Sequence, residues 1–285
     1  MSWPLLAFAV LVAPQLAAAD VVVGETSPEG LATARQVLPR SETALEASRV
    51  IYLNHDGVTV VPGDNESRTQ RSSIASKPIA IPRWDVGADV WSDTLACMRA
   101  IYAPFAVTIT DADPGDVSHI EAIFGGSPAQ FGLAANIAGI SPFTEDCSVI
   151  PGSIVYTFTD ALPGDAHSAC EVMAQEIAHS YGLDHEMLAS DPMTYLPYSG
   201  DRKFADEVVS CGEFTPRPCG IRGATCRANQ NSVALLTDRL GAAGTMPVTS
   251  VVTEPSSELN GGCSTASPGT LALGLLLAGL RRKRR

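Results

Sequence analysis

Between Gln175 and His185 the chain reads QEIAHSYGLDH, and few stretches of this length leave so little freedom in how they fold. Helical spacing runs over residues 168–181, opened by Ser168 and Glu171 in the pattern of a capping box. Positions 175 and 179 lie four apart and share one helical face. Gly182 stops the helix by taking a positive φ and turns the chain back. His185 then approaches the same point in space from a loop. A hydrolytic zinc site needs three protein ligands and one position left for water. Gln175, His179 and His185 stand where three ligands would stand, and Glu176 stands where a carboxylate can reach the water. His167 is a poor substitute for Gln175, being about 12 Å away along the helix axis.

This pattern resembles the metzincin zinc peptidases, whose signature is H-E-x-x-H-x-x-G-x-x-H followed by a Met-turn. Glu176, His179, Gly182 and His185 match that signature, and Met193 in the run Asp191-Pro192-Met193-Thr194-Tyr195 suits the Met-turn. The Gly-Leu-Asp-His string looks like the matrixin branch. Tyr195, two after the methionine, looks instead like the tyrosine of astacins and serralysins that approaches the metal. The resemblance covers roughly residues 49–200. It implies an α+β zincin domain with a twisted mixed sheet, an active-site helix and a loop-rich, cysteine-containing C-terminal part. It also implies Zn2+ as cofactor, a peptide or protein substrate, Glu176 as general base and Tyr195 as a stabiliser of the oxyanion. The departure is Gln175, because an amide oxygen is harder and less basic than imidazole. Three readings stand: Gln175 ligates weakly, Tyr195 or a water fills its place, or no metal binds and the chain is a catalytically inactive binding module.

The rest of the chain is expected to supply the sheet. Residues 49–61 read as a hairpin about Asp56-Gly57. Residues 86–102 read as a helix with Val90, Trp91, Leu95, Met98 and Ile101 on one stripe. Strands are expected at 105–110, 120–124 and 153–159, and a last helix at 232–240. Residues 20–48 read as a polar linker or pro-segment with a weakly helical stretch, ahead of a domain over 49–245. His55 is expected in a turn, His119 in solvent, Asp184 on the surface and residues 124–132 in a surface loop with a cleft strand nearby. Ser127 and Ser141 lack a G-x-S-x-G elbow, which argues against a serine hydrolase.

Both ends read as addresses. Residues 1–19 have an apolar centre and end in Ala17-Ala18-Ala19, the shape of a secretory signal peptide. Residues 246–262 form a polar linker, followed by Cys263, a short apolar segment over 271–280 and RRKRR. That segment is shorter than the roughly 20 residues of a stable span. The arrangement resembles the C-terminal sorting signal of myxobacterial surface proteins, MYXO-CTERM. The resemblance implies a sorting protease acting near Cys263, membrane contact through residues 263–285, and delivery to the cell surface or outer membrane, or release from it. The remaining six cysteines, Cys97, Cys147, Cys170, Cys211, Cys219 and Cys226, imply three disulfides in an exported chain. Cys147 with Cys170 is the favoured pair, and one of the last three must reach outside its cluster. The formal charge of −12, despite the basic tail, excludes a nucleic-acid footprint.

Overall fold

Two long helices set the architecture in the computed structural model, which describes residues 21–245 apart from 29 and 163. In α1 (Ala88–Tyr102) the residues Trp91, Met98 and Ile101 are buried, as their spacing predicts. In α2 (Ala166–Ser180) every residue from Met173 to Ser180 is buried, so this helix runs through the core rather than along its surface. The expected capping box on Ser168 does not form. Asp165 caps α2 instead, its carboxylate accepting from Ser168 N at 2.8 Å, because an anion is the better partner for a helix N-terminus. Glu171 turns away to Arg202.

The strands are β1 (Val21–Val23), β2 (Ala32–Leu38), β3 (Val50–Asn54), β4 (Val58–Pro62), β5 (Arg71–Ser72), β6 (Ile79–Ile81), β7 (Thr108–Thr110), β8 (His119–Phe124), β9 (Ile137–Thr144) and β10 (Ile154–Thr157). Seven form one mixed sheet in the order β1-β2-β9-β10-β8-β3-β7, and three form a small sheet in the order β5-β4-β6. In the large sheet β1 is antiparallel to β2 and β9 to β10, while the other pairings are parallel. Ile120, Ala122 and Phe124 pack toward α1 and α2, whereas Ile123, Ile154 and Tyr156 pack toward Val60, Ile79 and Ile81 of the small sheet. The fold is therefore α+β in three layers. The helix α3 (Ser232–Leu240) closes the helical side with Leu236 and Leu240.

Several expectations need correction. The hairpin over 49–61 is not a hairpin: β3 joins the large sheet between β8 and β7, while β4 leaves for the small one. A turn pair specifies a chain reversal, but not which strands then share hydrogen bonds. The strand expected over 105–110 is only Thr108–Thr110. The helical stretch expected within 20–48 is absent, and β1 and β2 take its place. No strand is anticipated at β9. It is buried along its whole length, so it shows no alternation. His119 is buried, its Nδ1 2.6 Å from the Val117 carbonyl. His55 is half-buried and stacks on Trp91.

The disulfides are Cys97–Cys170, Cys147–Cys226 and Cys211–Cys219. The favoured pair Cys147–Cys170 is wrong. Cys170 lies where α2 packs on α1, so its partner is Cys97 in α1. Cys147 follows β9 and meets Cys226, the one member of the last cluster that reaches out. Three disulfides mark a chain matured in an oxidising environment. Residues 1–19, expected to be a signal peptide, lie outside the described residues, as do Cys263 and the C-terminal segment. Among the described residues no helix is long and apolar enough to cross a membrane.

Candidate metal centre

The last turn of α2 and the loop after it do what their residues require. Gly182 has a φ of 76°, and a Cβ there would run into the Cys147 carbonyl. The chain doubles back at that point, and His185 meets His179 with their Nε2 atoms 3.0 Å apart.

The hydrogen bonds on the far side of each ring decide what those Nε2 atoms are. His179 Nδ1 lies 2.7 Å from the Leu183 carbonyl, which can only accept. His185 Nδ1 lies 2.8 Å from Glu213 Oε1. Burial raises the Glu213 carboxyl, but the hydrogen bond from His185 and the positive charges of His185 and Arg35 outweigh it and hold the group well below the usual carboxylate range. Glu213 is therefore ionised and also accepts. Both Nδ1 atoms carry the proton, and in a neutral ring the Nε2 is then a bare lone pair. Burial, the charge of His185 and Arg35 push the His179 imidazolium far down, while burial and Arg35 lower that of His185 against the opposing pull of Glu213 and Asp184. With the Nδ1 of each ring turned to an acceptor, the two Nε2 atoms converge to 3.0 Å, close enough to share one proton or one cation. A tetrahedral zinc with Zn–N bonds of about 2.0–2.1 Å would set two nitrogens about 3.3 Å apart. The pair fits a zinc-like metal.

Glu176 is wholly buried, and neither carboxylate oxygen has a hydrogen-bond partner among the described residues. Burial pushes its carboxyl well up, and the nearby Ser141 hydroxyl and Arg35 guanidinium offset only part of this. Strand β9 passes directly over it, since a Cβ on Gly139 would sit 2.6 Å from Glu176 Oε1. Gln175 is buried with its amide nitrogen unpartnered. It lines a cavity of about 240 Å³ bounded by α2, by Thr194 and Tyr195, and by Thr33 of β2.

Met193 is wholly buried in the same core cluster as Ile177 and Ala178. Its turn is held from both sides: Glu186 N donates to the Met193 carbonyl at 2.7 Å, and Met193 N donates to Asp191 Oδ1 at 2.9 Å. Burial raises both the Glu186 and Asp191 carboxyls, and the charge of Asp191 raises Glu186 further. The ring of Tyr195 lies 4.5 Å from that of His185, and its hydroxyl accepts from Thr33 N at 3.0 Å and pairs with the Thr33 hydroxyl.

Asp184 overturns its expected place on the surface. It is wholly buried and binds Arg35, Arg217 at 2.6 Å, and the backbone N–H groups of His185 and Gly220 at 2.8 Å each. Burial raises its carboxyl, but Arg35 and Arg217 hold it far below the usual range. Asp184, His185 and Glu213 form a buried group that could itself hold a metal. Two guanidinium groups already supply the positive charge there, since Arg35 and Arg217 each contact both carboxylates. The Nε2 side is therefore the better cation position. Sequence reasoning missed Arg35, Glu213, Arg217 and Thr33. The alternation in ATARQVL marks Arg35 weakly, and nothing in the sequence marks Glu213, which lies 28 positions from its partner His185. No protein-family model matches the chain, and no curated protein matches it significantly.

Proposed function

We propose that the chain is a zinc-dependent endopeptidase of metzincin type, exported and directed to the cell surface. The carrying observation is the convergence of the His179 and His185 Nε2 atoms to 3.0 Å at the end of the helix that carries Glu176, whose buried carboxyl oxygens have no hydrogen-bond partner among the described residues. His179 and His185 would hold the metal, with Gln175 as the candidate third ligand through its amide oxygen. Zinc bound there supplies Lewis acidity toward a scissile carbonyl and makes a coordinated water more acidic. Glu176 takes the proton from the attacking water and delivers it to the leaving amine. The Tyr195 hydroxyl, once free of Thr33, donates to the developing oxyanion. The cavity beside Gln175 receives a substrate side chain. Surface delivery rests on the C-terminal signal, with a sorting protease acting near Cys263.

A second reading is a peptide-holding module without catalysis. It is favoured by Gln175 in place of an imidazole and by the hydrogen bonds that hold Tyr195 to β2. Glu176→Ala separates the two. The endopeptidase reading requires the variant to keep its zinc and fold while cleavage falls by about 10²–10⁴-fold, the usual general-base contribution. Cleavage persisting at the parent rate would remove Glu176 from the mechanism. Zinc and peptide binding in a parent that never cleaves would leave the binding module.

A further inference from the structure

His185 and its neighbour Asp184 are gripped by one short loop. It runs from Cys211 to Cys219, a sequence separation of 8, and a disulfide joins its two ends. It contains no helix or strand, and Thr215 and Pro216 at its tip are exposed. Each end is tied to the chain that follows α2. Gly212 N donates to the His185 carbonyl at 3.0 Å, and Gly220 N, one past the disulfide, donates to Asp184 Oδ2 at 2.8 Å. Between the ends, Arg217 binds Asp184 at 2.6 Å, and the ring of Phe214 lies 6.2 Å from that of Tyr195.

Glu213 is the loop residue that reaches the imidazole, with Oε1 2.8 Å from His185 Nδ1. The same oxygen accepts from Arg35 at 3.2 Å and from Arg217 at 3.0 Å, so it is fixed from three sides. Arg217 N closes the loop on the Cys211 carbonyl at 2.7 Å. The two imidazoles are therefore oriented in different ways. His179 Nδ1 faces a backbone carbonyl four residues away, which the helix end places. His185 Nδ1 faces a side chain 28 positions away, which a disulfide-closed loop places.

Building on the metal-centre reading above, we propose that Glu213 is a positioning residue for His185, and that the centre acquires its full affinity for metal only when the Cys211–Cys219 disulfide has formed. A carboxylate on the far nitrogen of a ligating imidazole fixes which nitrogen faces the metal and where it points. Without the disulfide, holding Glu213 in place means ordering an open loop, at a larger cost in chain entropy. The bond forms by thiol–disulfide exchange. The two thiols pass two protons and two electrons to the disulfide of an oxidoreductase, which leaves as a dithiol. Metal affinity is thereby linked to the oxidising environment in which the other two disulfides form.

The test measures zinc affinity by chelator competition and, on the zinc-free full chain, solvent exchange of the His185 Nδ1–H proton by NMR. Glu213→Ala should weaken zinc binding about 10–100-fold, the usual effect of losing such a partner, and should speed the exchange about tenfold or more. Glu213→Gln removes the charge but keeps a carbonyl oxygen to accept from Nδ1, and should recover most of both losses. Parent affinity in Glu213→Ala overturns the positioning role. So does a Glu213→Gln variant as weak as Glu213→Ala, because charge balance alone would then account for the loss. The double variant Cys211→Ala, Cys219→Ala should weaken zinc binding about tenfold or more, and parent affinity in it overturns the role of the disulfide. If the double variant does not fold, oxidative refolding of the parent decides. Species trapped with Cys97–Cys170 and Cys147–Cys226 formed but Cys211–Cys219 open should bind zinc more weakly than the complete protein by the same factor, and equal binding is the overturning result. If the parent holds no zinc, the metal reading fails by itself and proton exchange decides this inference. Faster exchange in Glu213→Ala with slow exchange restored in Glu213→Gln supports it, and equal exchange in all three ends it.

Discussion

His185 has two sides, and they differ in how their polar groups are satisfied. On the Nδ1 side Arg35 and Arg217 face Asp184 and Glu213, two positive charges against two negative ones, and backbone N–H groups take up remaining acceptor capacity. On the Nε2 side the two imidazole nitrogens have only each other, and the buried Glu176 carboxyl has no hydrogen-bond partner among the described residues. Both clusters are buried, and burial makes unsatisfied polar groups costly. The saturated cluster accounts for itself as structure. The deficient one is where the proposed metal would sit.

Breaking the saturated side should have the largest effect. Arg35→Met leaves two buried carboxylates short of a partner and should cost about 3–5 kcal/mol in denaturant unfolding. A loss below about 1 kcal/mol would mean that Arg217 neutralises the cluster alone. A half-satisfied carboxylate away from both sides sharpens the contrast. Glu121, buried in β8, hydrogen-bonds Asn54 through one oxygen while the other has no partner, and burial, reinforced by Asp113, pushes its carboxyl up to about 7. Its folded-state value lies above the ordinary 4.5, so its contribution is fully present below about pH 4.5 and is lost as pH rises through about 7. Relative to Glu121→Gln, the parent should lose on the order of 3 kcal/mol over that window. Parallel stability–pH curves for the two proteins would show that Glu121 is solvated after all.

Filling the deficient side comes next. Zinc at a free concentration 100 times its Kd should stabilise the fold by about 2.7 kcal/mol, read as a rise in Tm that a chelator reverses and His179→Ala abolishes. No rise in the parent would break the contrast outright. The smallest effect expected is from Gln175→His, which replaces an unpartnered amide with a better ligand. It should tighten zinc binding at least tenfold, about 1.4 kcal/mol, in a competition titration. Unchanged affinity would mean that position 175 does not face the metal.

The local part of the site was legible because its geometry follows from the backbone of one short stretch. Helical spacing, a glycine stop and two histidines on either side of it brought His179 and His185 together, and Glu176 came with them. The core stripe of α1 and the position of α3 were legible for the same reason, since periodicity is a local property. The beginning of α2 was not, because Asp165 takes the Ser168 N–H that Glu171 would take in a capping box, and only the folded geometry shows which one wins.

What the sequence by itself determined is the turn from Gln175 to Met193 and the helices that carry and flank it. Those elements are built from contacts a few residues apart. Only the tertiary structure decided the rest. Strand pairing separated β3 from β4, whatever the Asp56-Gly57 turn promised, and placed β2 against β9 across more than a hundred residues. Through that pairing Arg35 reaches Asp184, and other long-range contacts bring Glu213 to His185 and Cys147 to Cys226. Such partners cannot be read along the chain, because hydrogen-bond and charge complementarity act through space, and the space is set only once the sheet has closed.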